Sequence, residues 1–332
     1  MSERPIRLAL NGFGRIGRTL LRQLLRDGAG FDLVCVNDIV APDLCAYLFQ
    51  YDSVFGPFPG TVEAQDGALV VDGRRIPLHR AEQLDMLDLS GIDIVLECTG
   101  RATTPEIASE GLRAGADRVL ISGPSPAAEL TVVLGANAER LAGQRIVSNA
   151  SCTTNALAPL LRLLDDTWGV ESGHMTTVHC YTGSQPTVDK PRDTPERSRA
   201  AALSMVPTTT SAGQLIGVVL PHLAGRVEAR AMRVPTASVS AIDLTVMTRD
   251  PVKADAVNAR LRQAASASPV FGWIEAPLVS TDLRGRPESL IVSGPETSVS
   301  SGGLLRVFGW YDNEWGFSCR MLDMARLMMG KG

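Results

Sequence analysis

The chain has 332 residues, of which 45% are hydrophobic and 20% charged, and its formal net charge is −4. This composition is typical of a globular protein, and the length predicts about two domains. The weak negative charge provides no basic field for nucleic acid or an anionic membrane, and no apolar run reaches the ~18 residues of a membrane span. We therefore expect neither a nucleic-acid partner nor a membrane partner.

The first 40 residues predict a βαβ unit. Residues 6–11, IRLALN, have the pattern of a short buried strand, and residues 12–28 that of a glycine turn followed by an amphipathic helix. The segment FDLVCVND then predicts a second strand. Such a short strand–helix–strand unit is typical of a right-handed parallel crossover.

Strands and helices continue to alternate up to about residue 150. Further strand candidates are GALVVDG, IDIVLECTG, DRVLIS, LTVVLGAN and RIVSNA, and TTPEIASEGLRAGA predicts a helix that begins at a Thr-Pro pair. We interpret residues 1–150 as a domain with a doubly wound, mostly parallel sheet of the Rossmann type.

The pattern changes after residue 150. CTTNALAPLLRLLDDTW predicts a long amphipathic helix, and HMTTVHCYT, VEARAMRVPT, SVSAIDLTVMT and SLIVSG predict strands with period-two alternation. We predict a second, α+β domain over residues 151–315 with a mixed or antiparallel sheet. The polar loop 183–199 is long enough to be functional, and we expect a terminal helix, 316–332, to pack back on the first domain.

A dinucleotide site is predicted where the first strand meets the first helix. Gly12, Gly14 and Gly17 form G-x-G-x-x-G, which permits a tight turn, close approach of the backbone to a pyrophosphate, and close packing of helix on strand. Asp38 ends the second strand, where an acid would bind ribose hydroxyls and repel a 2′-phosphate, which favours NAD over NADP. The alternative is that these are ordinary turn glycines and a loop aspartate.

Cys152 is the strongest candidate for a nucleophile. It follows a strand and begins a helix, and the positive end of a helix lowers the pKa of a thiol. His179 lies 27 residues later in a strand-like run, and a helix and a returning strand could bring the two together. The alternative is a structural histidine. The six cysteines show no CxxC and no repeated spacing, which predicts reduced thiols, no metal site and a cytoplasmic protein without a secretory signal.

A resemblance to a known family extends over essentially the whole chain. It is carried by five motifs in order: NGFGRIGR, SNASCTTN, TTVHCYT, RVPT and YDNEWGFS. It resembles the phosphorylating glyceraldehyde-3-phosphate dehydrogenases, and erythrose-4-phosphate dehydrogenases are built on the same plan. The resemblance implies that the Cys152 thiolate attacks an aldehyde with His179 as general base, that NAD accepts a hydride, and that inorganic phosphate releases the thioester. It also implies a homotetramer that acts in glycolysis.

The resemblance assigns residues to three groups. The cofactor-binding residues are Gly12, Phe13, Gly14, Arg15, Ile16, Gly17, Asp38, Arg80, Thr99, Ser122 and Asn313. The substrate phosphate is assigned to Thr182 and Arg233. The attacking phosphate is assigned to Ser151, Thr153, Arg197, Thr210 and the backbone of Ser211.

Several positions depart from the family pattern. Ser184 replaces a usual aspartate, Ser211 a glycine, Gln214 a lysine and Ala156 a second cysteine. These changes leave three alternatives to a triose-phosphate enzyme: a dehydrogenase of erythrose 4-phosphate or another phosphorylated aldehyde, a paralogue with a binding role, and a non-phosphorylating dehydrogenase. The family threonine that Thr182 retains favours the triose substrate.

Overall fold

The structure is a computed structural model that describes residues 4–330. Residues 1–3 and 331–332, which belong to the predicted first domain and terminal helix, lie outside this range. Two compact units are present. The first contains the described residues up to Val132, Glu139–Ala150 and the described residues from Ser318 onward, and the second contains Val133–Ala138 and Ser151–Phe317.

The first unit is built on a nine-stranded sheet with the order β3-β4-β5-β2-β1-β6-β7-β9-β8. The strands are β1 (Ile6–Asn11), β2 (Phe31–Asn37), β3 (Val62–Gln65), β4 (Ala68–Val71), β5 (Arg74–His79), β6 (Ile94–Glu97), β7 (Arg118–Ile121), β8 (Leu130–Thr131) and β9 (Ile146–Ser148). The helices are α1 (Arg15–Asp27), α2 (Pro42–Gln50), α3 (Pro105–Ala108) and α4 (Glu110–Arg113).

From β5 to β8 all neighbouring strands pair in parallel, which confirms the predicted doubly wound sheet. β3, β4 and β5 instead form an antiparallel meander at one edge. Asp66-Gly67 forms the turn of the first hairpin, with φ of 45° and 70°. Asp72-Gly73 forms the turn of the second, with φ of 49° and 80°. Such pairs with positive φ favour the tight hairpin turns that match strand twist.

Two predicted elements are shorter than the sequence pattern suggested. The helix predicted from TTPEIASEGLRAGA is divided into α3 and α4 at Ser109, whose hydroxyl donates to the Pro105 carbonyl at 2.6 Å. Such back-bonding competes with the helical ladder. The strand predicted from LTVVLGAN ends at Thr131, and the Val133 N–H is bound by the Asn137 side chain at 2.8 Å.

Close backbone packing explains the glycines between β1 and α1. Gly12 has a φ of 93°, and a Cβ atom there would lie 2.7 Å from the Cys98 carbonyl carbon. A Cβ at Gly17 would lie 2.1 Å from the Gly12 carbonyl oxygen, whereas a Cβ at Gly14 would meet no atom within 4 Å. The absence of a side chain at Gly12 and Gly17 therefore permits the backbone segments to pack closely, whereas Gly14 leaves open space in front of the backbone.

The second unit contains a mixed sheet with the order β11-β12-β10-β13-β17-β15-β14, and β16 pairs with β17. The strands are β10 (Val170–Cys180), β11 (Val206–Thr208), β12 (Val227–Val234), β13 (Ser240–Thr248), β14 (Phe271–Ile274), β15 (Leu290–Ser293), β16 (Ser298–Val299) and β17 (Leu305–Tyr311). The helices are α5 (Cys152–Trp168), α6 (Ala212–Val219) and α7 (Ala254–Ala267); α8 (Trp315–Met328) begins in this unit and runs into the first.

The long helix α5 packs against β10, β13, β15 and β17 of this sheet. β10 runs parallel to β12 and antiparallel to β13, so the predicted mixed sheet is confirmed. Along β10 the buried residues Met175, Thr177 and His179 alternate with the more exposed His174 and Val178. His179 therefore lies on the buried face of the sheet.

We predict that Gly17→Ala destabilises the first unit, because the new methyl group would overlap the Gly12 carbonyl oxygen. Overpacking of this kind costs about 1–3 kcal/mol in the free energy of unfolding. Gly14→Ala is the matched control and should unfold at the wild-type denaturant midpoint. Equal midpoints for all three proteins in chemical denaturation would contradict the packing role of Gly17.

Candidate active site

The N-terminus of α5 carries the candidate nucleophile. Ser151 is the N-cap residue, and its hydroxyl oxygen accepts the Thr154 N–H at 3.1 Å and lies 2.7 Å from the Thr154 hydroxyl. Cys152 is the first residue of the helix. The Ser151 side chain, predicted to bind the attacking phosphate, is thus engaged in capping the helix.

The structure places Cys152 beside His179, an arrangement that their spacing in the sequence allowed. The Cys152 Sγ lies 3.7 Å from the His179 Nε2. His179 is only 5% exposed, and its Nδ1 lies 2.7 Å from the Cys180 carbonyl oxygen. The imidazole thus has one nitrogen toward the sulfur and the other toward the backbone, the arrangement that a base for a thiol needs.

Arg233 lies beside the imidazole because of strand register. His179 on β10 is the direct partner of Arg233 on the parallel strand β12. The Arg233 Nη1 lies 2.7 Å from the His179 Nδ1 and donates to the Cys180 carbonyl oxygen at 3.0 Å. Among residues 4–330 no carboxylate forms an ion pair with Arg233, so its charge is available for an anion.

The electrostatics of the pair favour neutral groups at rest. Burial, together with the charge of Arg233, lowers the pKa of His179 to about 4. Burial raises the pKa of the Cys152 thiol, although Thr153 and Arg233 act in the opposite direction. Burial therefore opposes the lowering of the thiol pKa that the helix position predicted.

A chain of hydroxyl groups joins α5 to the sheet. The Thr177 hydroxyl donates to the Ala241 carbonyl oxygen at 3.0 Å, so its oxygen accepts from the Tyr311 hydroxyl at 2.8 Å. Tyr311 has only one hydroxyl hydrogen, which it donates to Thr177. Its oxygen therefore accepts from the Thr153 hydroxyl at 2.9 Å. The hydrogen of Thr153, predicted to bind phosphate, is therefore directed to Tyr311.

Sequence reasoning did not select Tyr311 or Thr177. Both lie inside motifs quoted for the resemblance, and a tyrosine at a buried position of an alternating strand was a usable signal. Tyr311 is 1% exposed, and a buried tyrosine hydroxyl needs a partner.

Asn313 and Thr182 make contacts within the second unit. The Asn313 side-chain oxygen accepts from the Cys180 thiol at 3.1 Å, which leaves its amide hydrogens for another acceptor. The Thr182 hydroxyl lies 2.9 Å from that of Ser184, so a neutral pair occupies the place of the usual aspartate.

The residues predicted for the attacking phosphate lie on two neighbouring segments. The Arg197 guanidinium donates to the Thr208 and Thr209 hydroxyls at 2.8 and 3.2 Å. Thr210 follows directly, and its hydroxyl accepts the Ala212 N–H at 3.3 Å. Ser211 is the N-cap of α6 and makes no side-chain capping bond. Like Arg233, Arg197 forms no ion pair with a carboxylate among the described residues.

Four of the predicted dinucleotide residues, Gly12, Gly14, Asp38 and Thr99, line a cavity of about 330 Å³ in the first unit, together with Glu97 and others. The Asp38 carboxylate accepts the N–H groups of Phe13 at 2.6 Å and Val40 at 2.9 Å. These two bonds leave acceptor capacity on both oxygens for hydroxyl groups. The open space at Gly14 and the acid at Asp38 fit a dinucleotide.

Glu97, a buried carboxylate that lines this cavity, was not among the residues predicted from the sequence. Glu97 ends β6 and accepts from the Asn11 side-chain amide at 2.5 Å and from both the N–H and the hydroxyl of Thr99. Asn37 in turn donates to the Asn11 side-chain oxygen at 2.8 Å. Burial raises the pKa of Glu97. The signal for this residue was an acid at the end of an otherwise apolar strand.

The other predicted cofactor residues have partners in the first unit. Arg15 forms an ion pair with Asp52 at 2.5 Å, and Arg80 donates to the Ile39 carbonyl oxygen at 3.1 Å. The Ser122 N–H donates to the Glu97 carbonyl oxygen at 2.9 Å. Arg15, Ile16 and Gly17 form the first turn of α1, whose N–H groups lie beyond the intrahelical ladder.

Comparison with known proteins decides the family. The model of the glyceraldehyde 3-phosphate dehydrogenase NAD-binding domain matches residues 6–105, and that of the C-terminal domain matches residues 151–313. The chain belongs to the glyceraldehyde-3-phosphate dehydrogenase family. The resemblance seen in the five motifs is thereby confirmed, and the match to the first model supports NAD as the cofactor.

Relatives in the glyceraldehyde-3-phosphate dehydrogenase family are similar over nearly the whole chain. The glyceraldehyde-3-phosphate dehydrogenase of Pseudomonas aeruginosa is 48% identical, covering 96% of this chain and 97% of its own. That of Xanthobacter flavus is 44% identical, covering 98% and 99%. Glyceraldehyde-3-phosphate dehydrogenase 2 of Bacillus subtilis is 39% identical, covering 97% and 96%.

The described residues contain neither a membrane-spanning helix nor a metal-binding cluster. None of the helices within residues 4–330 has the length and apolar character needed to span a bilayer. In the same range no three His, Cys, Asp or Glu side chains are grouped as a metal site would require.

The low pKa of His179 predicts acid sensitivity. In the folded protein the pKa of His179 is about 4, below the usual 6.5. The stability of the fold that depends on a neutral imidazole is therefore fully present above pH 6.5 and is lost as the pH falls toward 4. At about 1.4 kcal/mol per pKa unit the loss is about 3 kcal/mol. The unfolding free-energy difference between wild type and His179→Asn should shrink by that amount from pH 7 to pH 4. A pH-independent difference would contradict this assignment.

Proposed function

We propose that this chain catalyses the NAD-dependent oxidation and phosphorylation of glyceraldehyde 3-phosphate to 1,3-bisphosphoglycerate. The observation that carries the proposal is the Cys152 Sγ at the start of α5, 3.7 Å from the Nε2 of a buried histidine that itself touches Arg233. Family membership supports the substrate, since the relatives bear that enzyme's name.

In this proposal Cys152 is the nucleophile. His179 Nε2 takes the proton of the thiol, and the sulfur forms a bond to the aldehyde carbon, which gives a hemithioacetal. The imidazolium then hydrogen-bonds the developing oxyanion. Bound NAD would supply the acceptor for the hydride that leaves this carbon. The product on the enzyme is a thioester, which is activated enough for attack by phosphate.

Two anion sites complete the proposal. Arg233 and Thr182 bind the phosphate of the substrate, and Arg197 with Thr210 and the Ser211 backbone binds the attacking phosphate. Neither arginine forms an ion pair with a carboxylate among the described residues, and planar guanidinium groups bind phosphate oxygens in pairs. The hydroxyls of Ser151 and Thr153 are engaged in protein contacts. We therefore expect this segment to bind the attacking phosphate mainly through the backbone N–H groups at the N-terminus of α5.

NAD fits the residues of the first unit. The α1 N-terminus and the open space at Gly14 would bind the pyrophosphate, and Asp38 the adenosine ribose. The amide hydrogens of Asn313, whose oxygen is bound by Cys180, would orient the nicotinamide amide. We further propose a cytoplasmic homotetramer, by analogy with the family.

Phosphate dependence tests the function. We expect NADH formation from glyceraldehyde 3-phosphate to require inorganic phosphate, because only phosphate releases the thioester efficiently. The Cys152→Ser variant should bind NAD but show no turnover. Equal steady-state rates with and without phosphate would sink the phosphorylating assignment, and a higher kcat/KM for erythrose 4-phosphate would reassign the substrate.

Cofactor preference tests Asp38. Replacing it with alanine removes a charge that repels a 2′-phosphate and two acceptors of ribose hydroxyls, so the preference for NAD over NADP should fall at least about tenfold. The ratio of dissociation constants, measured by fluorescence titration, gives the result. Asp43→Ala, in the first turn of α2, is the control for loss of a nearby acid. An unchanged ratio in Asp38→Ala would remove Asp38 from cofactor selection.

A further inference from the structure

Polar groups form a row along the carboxyl ends of neighbouring strands in the first unit. Asn37 ends β2, Asn11 ends β1 and Glu97 ends β6, and these strands follow one another in the sheet order β5-β2-β1-β6. Asn11 is the direct register partner of both Asn37 and Glu97. Ala81 lies shortly beyond the end of β5. Ligands of such folds bind outside this edge of the sheet, so the row lies where a cofactor would bind.

Hydrogen bonds join these groups into a chain with one direction, which we call the edge chain (Ala81, Asn37, Asn11 and Glu97). The Asn37 side-chain oxygen accepts the Ala81 N–H at 2.8 Å. The nitrogen of the same amide therefore donates to the Ala81 carbonyl oxygen at 3.0 Å and to the Asn11 side-chain oxygen at 2.8 Å. The Asn11 nitrogen then donates to Glu97 Oε2 at 2.5 Å. Because a backbone N–H only donates, Ala81 fixes the orientation of both asparagine amides.

Glu97 is the acceptor at which the edge chain ends. Its Oε2 accepts from Asn11, and its Oε1 accepts both the N–H and the hydroxyl of Thr99. Glu97 is 4% exposed, and no Arg or Lys side chain within residues 4–330 forms an ion pair with it. Neutral donors surround both oxygens, and a carboxylate is the group that only accepts. Burial raises the pKa of Glu97, and the three hydrogen bonds act in the opposite direction.

We propose that Glu97 is a positioning residue of the cofactor site, because its carboxylate terminates the edge chain and thereby fixes the spacing of the segments that bind NAD. Each member of the chain lies within two residues of a residue predicted to bind the cofactor, in the pairs Asn11 and Gly12, Asn37 and Asp38, Ala81 and Arg80, and Glu97 and Thr99. All four members line the cavity of the first unit. The proposal rests on the NAD site of the proposed function and is independent of the chemistry at Cys152.

The edge chain also defines what Thr99 contributes. The hydroxyl hydrogen of Thr99 is directed to Glu97, and its oxygen accepts the Arg101 N–H at 3.1 Å. A hydroxyl group has one hydrogen, so this one has no donor left for the cofactor. Thr99 therefore serves the cofactor site by holding its segment on Glu97 rather than by donating to NAD.

Glu97→Gln interrupts the edge chain in either orientation of the new amide. Its NH₂ group would face either the Asn11 amide nitrogen or the Thr99 N–H, and both are donors. Neither donor can reverse, since one is backbone and the other is oriented from Ala81. We expect NAD to bind at least about tenfold more weakly than to wild type, measured by fluorescence titration.

Glu110→Gln is the matched control for the loss of an acid from the same cavity. Glu110 also lines this cavity, and its carboxylate accepts the Leu84 N–H at 2.8 Å, which an amide oxygen can accept as well. This variant should bind NAD as tightly as wild type. An equal loss of affinity in Glu97→Gln and Glu110→Gln would mean that only the acidity of the cavity matters, and the proposal would fail.

A reciprocal exchange provides the sharpest test. Asn11→Asp alone opposes two carboxylates, whereas Glu97→Gln alone opposes two donors. In the double variant the carboxylate at position 11 accepts from Asn37 and from the new amide at position 97, whose oxygen still accepts from Thr99. Every hydrogen bond of the edge chain is thereby restored, and the double variant should bind NAD more tightly than either single variant. A double variant that binds NAD no more tightly than one of the single variants would overturn the proposal.

Unfolding midpoints and kinetics separate positioning from a merely structural role. A structural role alone would lower the denaturation midpoint of Glu97→Gln and leave the Kd of the folded protein for NAD unchanged, which would contradict the proposal. In turnover we expect a raised KM for NAD with an unchanged kcat at saturating NAD. If Glu97→Gln does not fold, the double variant should fold and bind NAD, and its failure to fold would overturn the proposal. Wild-type protein that binds no NAD would instead refute the proposed cofactor site.

Discussion

The chemistry of this chain depends on the parallel register between β10 and β12, which places His179 beside Arg233. The imidazole is buried, touches a cation on one side and faces a sulfur on the other. A positive charge on the ring is therefore unfavourable until the guanidinium finds another partner. Strand register therefore sets the electrostatic environment of the imidazole that faces the sulfur.

The position of the sulfur depends on a second set of contacts. Ser151 caps α5, and the directional chain from Thr153 through Tyr311 and Thr177 ends on the Ala241 carbonyl of β13. Both residues next to Cys152 are thus committed to holding the helix end. Hydroxyls that flank a nucleophile are easily assigned to its substrate, but here they stabilise the element that carries it, and the helix N–H groups and Arg197 are left to attract an anion.

The sequence predicted what depends on local pattern. The glycine spacing, the alternation along β10 and the helix that begins at Cys152 all follow from neighbouring residues. The local pattern did not predict the contacts that strand register creates between segments distant in the sequence. His179 and Arg233 are 54 residues apart, and Thr153 and Tyr311 are 158 apart. Nothing in the local pattern of either partner specifies the other, and the raised pKa of Cys152 depends on burial that only the folded chain defines.

The departures from the family pattern differ in their surroundings. Ala156 is fully buried in α5, so its methyl group is part of the packed interior and leaves Cys152 without a second thiol one helical turn away. Ser184 matters more for the chemistry, because its hydroxyl pairs with that of Thr182 where the family usually has a carboxylate. A carboxylate in a substrate-phosphate site would repel the phosphate and would compete with it for arginine. A neutral pair removes that competition, which favours phosphate binding by Arg233 in the proposed function.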